Sequence, residues 1–581
     1  MTDELLLQCR KSQAMVLTLC LIGVLLVSSA EAVVHNLTWE ISYQYKYLDC
    51  YKKLSVAING MTPGPEISAA EGDTIIVNVI NNLLMENVAI HWHGIRQIGS
   101  QWSDGTDGVT QCATMPGDTF TYQFVVDKAG TYMYHSHYGM QREAGLYGMI
   151  KVSPRAGESE PFTYDGEHSI VLSDWYHSSP YEQATNLTSI PYQWIGEPQS
   201  LLINGRGKYD CANLDATVCN ATNPECLRSN FTVSPGLTYR LRIASLTSLS
   251  ALSFQIEGHN MTVVEADGNY VAPFATQNLY IYSGETYSVL ITANQSSSRN
   301  YWITTNVVSR KPATPVGSAI LNYIPNHSGD DPSTIPPPGP LWNDTESRKA
   351  QSASIKAEKD HIQSPPSTSD KTILLLNTQN TFQGRTVWSL NNVSHSLPDT
   401  PYLIALKKNW TDVFDQAPAP ESYDQGYDIY SVANNTNAIS STSIYRLTFN
   451  STVDVILQNA NTMTKNDSET HPWHLHGHDF WVLGYGDDKF NLSTDGQKFN
   501  LVNPIMKNTV PLHPYGWTAL RFRADNPGVW IFHCHIEPHF LLGMTVLFES
   551  GSEMVADPPQ QNMGCGKTKS LIMQQPSSVS P

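Results

Sequence analysis

The chain has 581 residues, and its 35 Lys and Arg against 53 Asp and Glu leave a formal charge of -18. That length exceeds a single hydrophobic core and sets an expectation of two to four domains. The acidic balance and the lack of basic runs exclude nucleic acid as a partner, and any site for an anionic ligand needs its own local donors.

The chain opens on a leader. Arg10 and Lys11 precede an apolar run from Met15 to Val27, too short to span a bilayer, and Ser28-Ser29-Ala30-Glu31-Ala32 closes on a small-residue cleavage pattern. Residues 1–32 are therefore expected to be a signal peptide and the mature, secreted chain to start at Val33; an uncleaved anchor is the alternative. No second hydrophobic run follows, and Pro576 to Pro581 lacks the tail of a lipid-anchor signal, so no membrane anchor is expected. Sequons at Asn36, Asn186, Asn220, Asn230, Asn326, Asn392, Asn409 and Asn450 agree with export and glycosylation. With the leader removed, Cys50, Cys112, Cys211, Cys219, Cys226, Cys534 and Cys565 remain. If Cys534 binds metal, the other six suit three disulfides, with fifteen pairings open.

Strand signals dominate from there. Thr74-Ile75-Ile76-Val77-Asn78-Val79-Ile80 is a β-branched run between Glu71-Gly72-Asp73 and Asn81-Asn82. Units of this kind predict an all-β chain of Greek-key sandwiches. One unit recurs three times. The first carries His91-Trp92-His93-Gly94 and Tyr132-Met133-Tyr134-His135-Ser136-His137. The last carries His471-Pro472-Trp473-His474-Leu475-His476 and Val529-Trp530-Ile531-Phe532-His533-Cys534-His535. The middle unit keeps the frame but has Ser253-x-Gln255 and Ile303-x-Thr305 where the others have His-x-His. The expected layout is domain one at 33–160, domain two at 161–340, a Pro-, Ser- and charge-rich linker at 341–370, surface-laid or partly mobile, and domain three at 371–581.

The chemistry lies in the histidines. Four His-x-His pairs occur: His91/His93, His135/His137, His474/His476 and His533/His535. On a strand, residues i and i+2 share a face about 6.6 Å apart. Such a pair is too wide to grip one ion but suits two neighbouring ions, so eight imidazoles predict a cluster of about three coppers where the outer domains meet. Zinc is the rival metal, but it has no redox chemistry and gives no reason for a cysteine between two histidines. Cys534 faces away from His533 and His535. With His539, Met544 and His471 it suits a single copper held by Cys and two His with a weak axial Met. His478 is spare and expected to be structural; His35, His168, His327 and His361 have no partner at ligand spacing and are expected to face solvent. The expected traffic is one electron at a time into the single copper and on through Cys534 to its flanking histidines, with four electrons taking dioxygen to water.

These residues resemble the multicopper oxidases over essentially the whole mature chain, and within that family the sequence looks most like the plant ascorbate oxidases. The resemblance rests on His91-Trp92-His93-Gly94-Ile95, Asp104-Gly105 with Gln111-Cys112, Tyr134-His135-Ser136-His137 with Gly139-Met140-Gln141-Arg142, and His533-Cys534-His535-Ile536-Glu537-Pro538-His539. It implies three cupredoxin-like domains and four coppers: type 1 at His471, Cys534, His539 and Met544; type 2 at His91 and His474; a type 3 pair at His93, His135, His137, His476, His533 and His535. It implies disulfides Cys112–Cys565, Cys50–Cys226 and Cys211–Cys219, L-ascorbate and dioxygen as substrates, an ascorbate pocket between Trp194 and Trp388 with His539 as electron entry, an extracellular, cell-wall location and a homodimer. Phe540-Leu541-Leu542 is more apolar than the ascorbate-specific pattern and is expected beside the donor site. Two other functions stay open: a laccase using phenolic donors on the same copper core, and a copper-free cell-wall relative with a binding role.

Overall fold

Thr74–Asn81 alternates half-buried and buried side chains, with Ile75, Val77, Val79 and Asn81 facing inward, the period-two pattern of a strand with one covered face. Strands of the described residues assemble into six sheets. The computed structural model describes residues 32–310, 314–325, 330–432 and 438–573. The expected leader, apart from Ala32, and His327 lie outside the described residues.

The sheets pack in three pairs, and each pair repeats one wiring. In the first sheet of each pair a parallel contact is followed by an antiparallel one. Val34–Lys46 runs parallel to Thr74–Asn81, which pairs antiparallel with Thr119–Val125. Gly166–Trp175, Thr238–Ser245 and Thr286–Thr292 repeat this, as do Lys371–Phe382, Thr452–Gln458 and Gly516–Arg523. In the second sheets the order is parallel, antiparallel, antiparallel. It runs through Ile67–Ala70, Tyr147–Ser153, Gly130–Ser136 and Ile90–His91 in the first pair. Asn230–Val233, Val316–Tyr323, Tyr301–Val308 and Ala251–Ile256 follow it in the middle. Tyr445–Leu447, Thr545–Ser550, Gly528–Cys534 and His471–Leu475 follow it in the last. The protein is all-β, three sandwiches of one plan, each filled by inward residues of both sheets; Trp39, Val77 and Tyr122 meet Tyr132, Tyr134 and Ile150 in the first.

The repeat puts the histidines at one place in the plan. His91 stands opposite His135, and His474 opposite His533. The corresponding middle strands oppose Ser253 to Asn306, and Gln255 there donates its amide to the Pro337 and Pro338 carbonyls (3.2 and 2.9 Å).

The first and last sandwiches are tied at the far end of the chain. Cys112 is bonded to Cys565, with Cys50–Cys226 and Cys211–Cys219 as the other disulfides. Beside the first of these, Trp102 packs into a cluster with Val529, Ile531 and Leu547 and donates its indole N–H to the Ala556 carbonyl (3.1 Å).

The stretch expected as a surface-laid or partly mobile linker carries a helix and docks through it and the residues that follow. Asp344 caps the helix Thr345–Ser354 by accepting the Ser347 N–H (3.0 Å). Ile355 and Ala357 are buried, and backbone bridges join Ala357 to Val271 and Lys356 to Pro504. Too few apolar residues occur to show a helical period, so its anchoring by isolated side chains and strand-like bridges was invisible to pattern reading.

A buried charge network holds the middle sandwich. Arg240 donates to both Glu160 oxygens (2.7 Å each), to Ser288 Oγ (3.0 Å) and to Glu265. Burial raises the Glu265 carboxyl, but Arg240 and Arg242 outweigh it and hold it below its ordinary 4.5. Arg240→Met leaves that carboxylate buried without its partner, an expected loss of about 3–5 kcal/mol read as a lowered melting temperature at pH 7. The depressed acid contributes stability above its unfolded pKa and loses it as pH falls, so the deficit should shrink in acid.

Candidate metal centre

Each His-x-His pair divides between two seats, as strand geometry requires. The ring centroids of His91 and His93 lie 5.9 Å apart, those of His135 and His137 6.1 Å, and those of His533 and His535 5.7 Å. Nitrogens from different strands converge instead. His93, His135 and His535 form one triad, His137, His476 and His533 a second, and His91 and His474 meet beside them in a group that His93 also reaches. His91 and His474 face each other through Nε2 at 3.4 Å, His476 and His533 at 3.3 Å, and His135 and His535 at 3.2 Å. All eight rings are buried. Every seat draws on both the first and the last sandwich.

The outer nitrogens settle which atom is free. Nδ1 of His91 meets the Asp104 carbonyl (2.8 Å), His135 the Ser136 carbonyl (2.9 Å), His474 the Asn508 carbonyl (2.9 Å) and His533 the Cys534 carbonyl (3.0 Å). His476 Nδ1 meets Asp104 Oδ2 at 3.0 Å. These oxygens only accept, so each Nδ1 carries the proton and each Nε2 presents a lone pair inward. Burial first, then neighbouring cations and rings, pushes His93, His135, His474, His476, His533 and His535 well below the ordinary histidine range, and His137 down to about 3. Neutral imidazoles with inward lone pairs are what a metal cluster takes. Two ring nitrogens of these eight histidines, His93 Nδ1 and His137 Nε2, have no hydrogen-bond partner.

The second seat lies across the strand. Nδ1 of His471 and of His539 each stand 3.7 Å from Cys534 Sγ, and the three form one convergent group. Cys534 is the free cysteine among the described residues, fully buried. Met544 is equally buried, and the Cys534 N–H donates to its carbonyl (3.1 Å). Burial pushes the Cys534 thiol far above its usual range, so only a cation seated beside it makes a thiolate here. One soft sulfur and two imidazoles suit copper.

Beyond the second seat a cavity of about 710 Å³ opens to solvent, lined by His539, Trp388, Trp194, Tyr192, Arg310 and Glu469 among others. Trp388 lies 4.6 Å from the His539 ring and 5.0 Å from His471; Trp194 lies 6.3 Å from His539, under the Arg310 guanidinium at 5.6 Å. His539 Nε2 meets Glu469 (3.3 Å). Burial raises that carboxyl, but His539 and Arg310 outweigh it and hold it at about 2.

Three expectations need correction. Of the stretch Phe540-Leu541-Leu542, Leu542 does stand beside the donor cavity, accepting the Trp388 backbone N–H (2.9 Å), but Phe540 does not: its ring packs on His137 and His533 at 5.0 and 4.9 Å, on the cluster side, because the turn Glu537–Leu541 carries it inward. His35 and His168 face solvent only in part. His35 is half-buried against Asp73 (2.8 Å), and His168, half-buried, stacks on Tyr239 and meets the Thr232 carbonyl. His361 is exposed, and His478, buried with Nδ1 on the His476 carbonyl (3.2 Å), joins no convergent group.

The supporting residues were not assigned from sequence. Asp104 binds His476 by its carboxylate and His91 by its carbonyl, and Gly105 after it (φ +83°) passes so close that a Cβ would lie 1.7 Å from the Ile90 carbonyl oxygen. Arg142 donates to the His535 carbonyl (2.6 Å), and Ser283 of the middle sandwich meets His535 Nδ1 (2.9 Å). The Asp104-Gly105 and Gln141-Arg142 motifs were in view, but only contacts distant in sequence reveal what they hold.

Cys534→Ser should remove the visible absorption of the copper-loaded protein while copper stays in the histidine cluster. Purified variant that keeps the band would show the sulfur is no ligand.

Three family models, each described as multicopper oxidase, match residues 40–157, 166–326 and 412–553. An L-ascorbate oxidase of Brassica rapa subsp. pekinensis is 50% identical over 557 residues, 94% of this chain and 97% of that protein. Laccase-22 of Oryza sativa subsp. japonica is 33% identical, covering 92% of this chain and 96% of that one. The crystal structure of a Botrytis aclada laccase superposes with a TM-score of 0.73 at 29% identity, over 91% of this chain and 90% of its own. With its models matched in all three sandwiches and its histidines shared between the outer two, the chain belongs to the multicopper oxidase family.

Proposed function

We propose that this protein is a secreted oxidase that takes electrons singly from L-ascorbate and passes them to dioxygen, making water. The observation that carries the reading is the cavity in which His539, a residue of the cysteine seat, stands beside Trp388 and Trp194. The 50% identity to plant L-ascorbate oxidases supports the same donor.

Family membership implies copper, and the donor sets fit it. In this reading four ions are held: one by His471, Cys534, His539 and Met544, one by His91 and His474, and two by the triads His93, His135, His535 and His137, His476, His533. Copper, when bound, supplies the one-electron steps; four electrons and four protons convert one dioxygen to two waters. The chain's own residues do the rest. Trp194 and Trp388 offer flat apolar faces to an enediol, and Arg310 supplies the local cation that a chain of charge -18 needs in order to admit an anion. Trp388, 3% exposed, keeps water from His471 and His539. Cys534 is bonded through its backbone to His533 and His535, the shortest covalent route between the two seats. Asp104 and Arg142 hold rings in place around the cluster.

The remaining assignments follow from the same reading. The leader is cleaved near Ala32 and the glycosylated protein acts outside the cell, in the cell wall; among the described residues no helix is long and apolar enough to cross a membrane. The sandwiches divide at 33–160, 161–340 and 371–581, with 341–370 between, and two chains pair as a homodimer.

Oxygen uptake by the purified protein, with ascorbate and then a methoxyphenol as sole donor, tests the function. Preference for ascorbate with little peroxide is expected; preference for the phenol would move the protein to the laccases with the same copper core. Trp388→Ala should lower kcat/KM for ascorbate about tenfold, the size of a lost ring contact, and leave the copper spectrum intact. Unchanged turnover would rule out the two-tryptophan pocket.

A further inference from the structure

The docked linker also walls the donor cavity, and it brings a cation there. Trp342, Asn343, Thr345 and Arg348 line the cavity together with Trp388 and His539. Arg348 is 2% exposed. Its Nε donates to the Asp344 carbonyl (3.3 Å), Nη1 to the Thr470 hydroxyl (3.2 Å) and Nη2 to the Thr345 hydroxyl (2.8 Å). All three partners are neutral, and no carboxylate among the described residues pairs with this guanidinium. The Asp344 carboxylate is spent on the helix cap, accepting the Ser347 N–H. A buried cation without an anion is destabilising, and three neutral contacts are no reason to place an arginine here.

The other guanidinium of the cavity is already matched. Arg310 lies 2.6 Å from Glu197, and Glu469 in the same lining is ionised. An anionic donor therefore needs a cation that no protein group has neutralised, and Arg348 is that cation. Its field is felt nearby: burial first, then the Arg348 and Lys349 cations, pushes His513 down to about 3. A guanidinium carries five N–H groups. With three spent, one remains on each Nη nitrogen, the two-pronged fork that takes a pair of oxygens from a carboxylate or an enediolate. Thr470, which accepts from Nη1 and meets Ser309 Oγ (2.8 Å), immediately precedes His471 of the cysteine seat. The guanidinium is thus one side chain removed from that seat.

We propose that Arg348 is an anion subsite of the donor cavity and sets the donor class: it takes the charged oxygen pair of an enediolate or carboxylate and offers an uncharged phenol no equivalent hold. This rests on reading the His539 cavity as the donor site. The alternative is that Arg348 only ties the linker helix to Thr470. The two differ in whether the charge of the incoming molecule matters.

The test sets Arg348→Met, which keeps the length of the side chain and removes its charge, against the parent, both copper-loaded. Oxygen uptake is measured with ascorbate, an anion at neutral pH, and with uncharged hydroquinone. Loss of hydrogen bonds to a charged group should lower the ratio of kcat/KM for ascorbate to that for hydroquinone by about tenfold to a hundredfold, through KM rather than kcat. An unchanged ratio would overturn the proposal. A second arm does not need ascorbate to be the donor. Benzoate, a flat and redox-inert carboxylate, should compete with hydroquinone in the parent and do so at least about tenfold more weakly in Arg348→Met. Benzyl alcohol is the uncharged control. Benzoate that inhibits the parent no better than benzyl alcohol, or inhibits both proteins equally, overturns the proposal. If Arg348→Met is not secreted, a crystal structure of the parent with benzoate decides: a carboxylate on the Arg348 Nη atoms supports the subsite, and one bound elsewhere overturns it. A parent that prefers hydroquinone to ascorbate refutes the ascorbate reading, while the benzoate arm still judges Arg348.

Discussion

The protein depends on the distance between residues i and i+2 of a strand. Too wide for one ion and right for two, that spacing divides every His-x-His pair between neighbouring seats, so no strand can complete a seat alone. The consequence is architectural. Each seat of the histidine cluster is closed by strands from both outer sandwiches, and the first and last sandwiches are locked together by Trp102 in its apolar cluster and by the Cys112–Cys565 bond. The same alternation turns Cys534 to the opposite face and makes one strand serve two kinds of site.

Burying eight imidazoles side by side is tolerable only if they are neutral. Burial and mutual repulsion disfavour a second proton on rings such as His474 and His476, and the carbonyls around the rim decide which nitrogen keeps its one hydrogen. These acceptors are mostly backbone carbonyls, and two of them, on Ser136 and Cys534, belong to residues next to other ligands. Ligand orientation is thereby coupled to sheet geometry rather than entrusted to mobile side chains. The middle sandwich, though without ligands, takes part in this through Ser283.

The all-β fold, its threefold repeat and the histidine seats were legible because they rest on local periods: alternation in Thr74–Asn81, and His-x-His at matching points of two repeats. Which histidines form a triad was not legible, because it depends on how strands from two sandwiches face each other. The docked helix Thr345–Ser354 was missed for a related reason, being held by capping and a few buried residues rather than an apolar stripe. Phe540 was misplaced because a single turn decides which side of the strand it serves. Asp104, Arg142 and Asn508 act through contacts with residues remote in the chain, and no local pattern marks them.

The two halves of the cluster come from opposite ends of the chain, residues 91–137 and 474–535, and the bond that locks them uses Cys565. During synthesis the first sandwich emerges with four of the eight cluster histidines, which complete no seat by themselves. No seat can be completed until the last strands have been made and folded against the first. Metal insertion is therefore the final event in this protein's maturation, and a chain cut short before Gly528–Cys534 yields an intact first sandwich that cannot close a single seat.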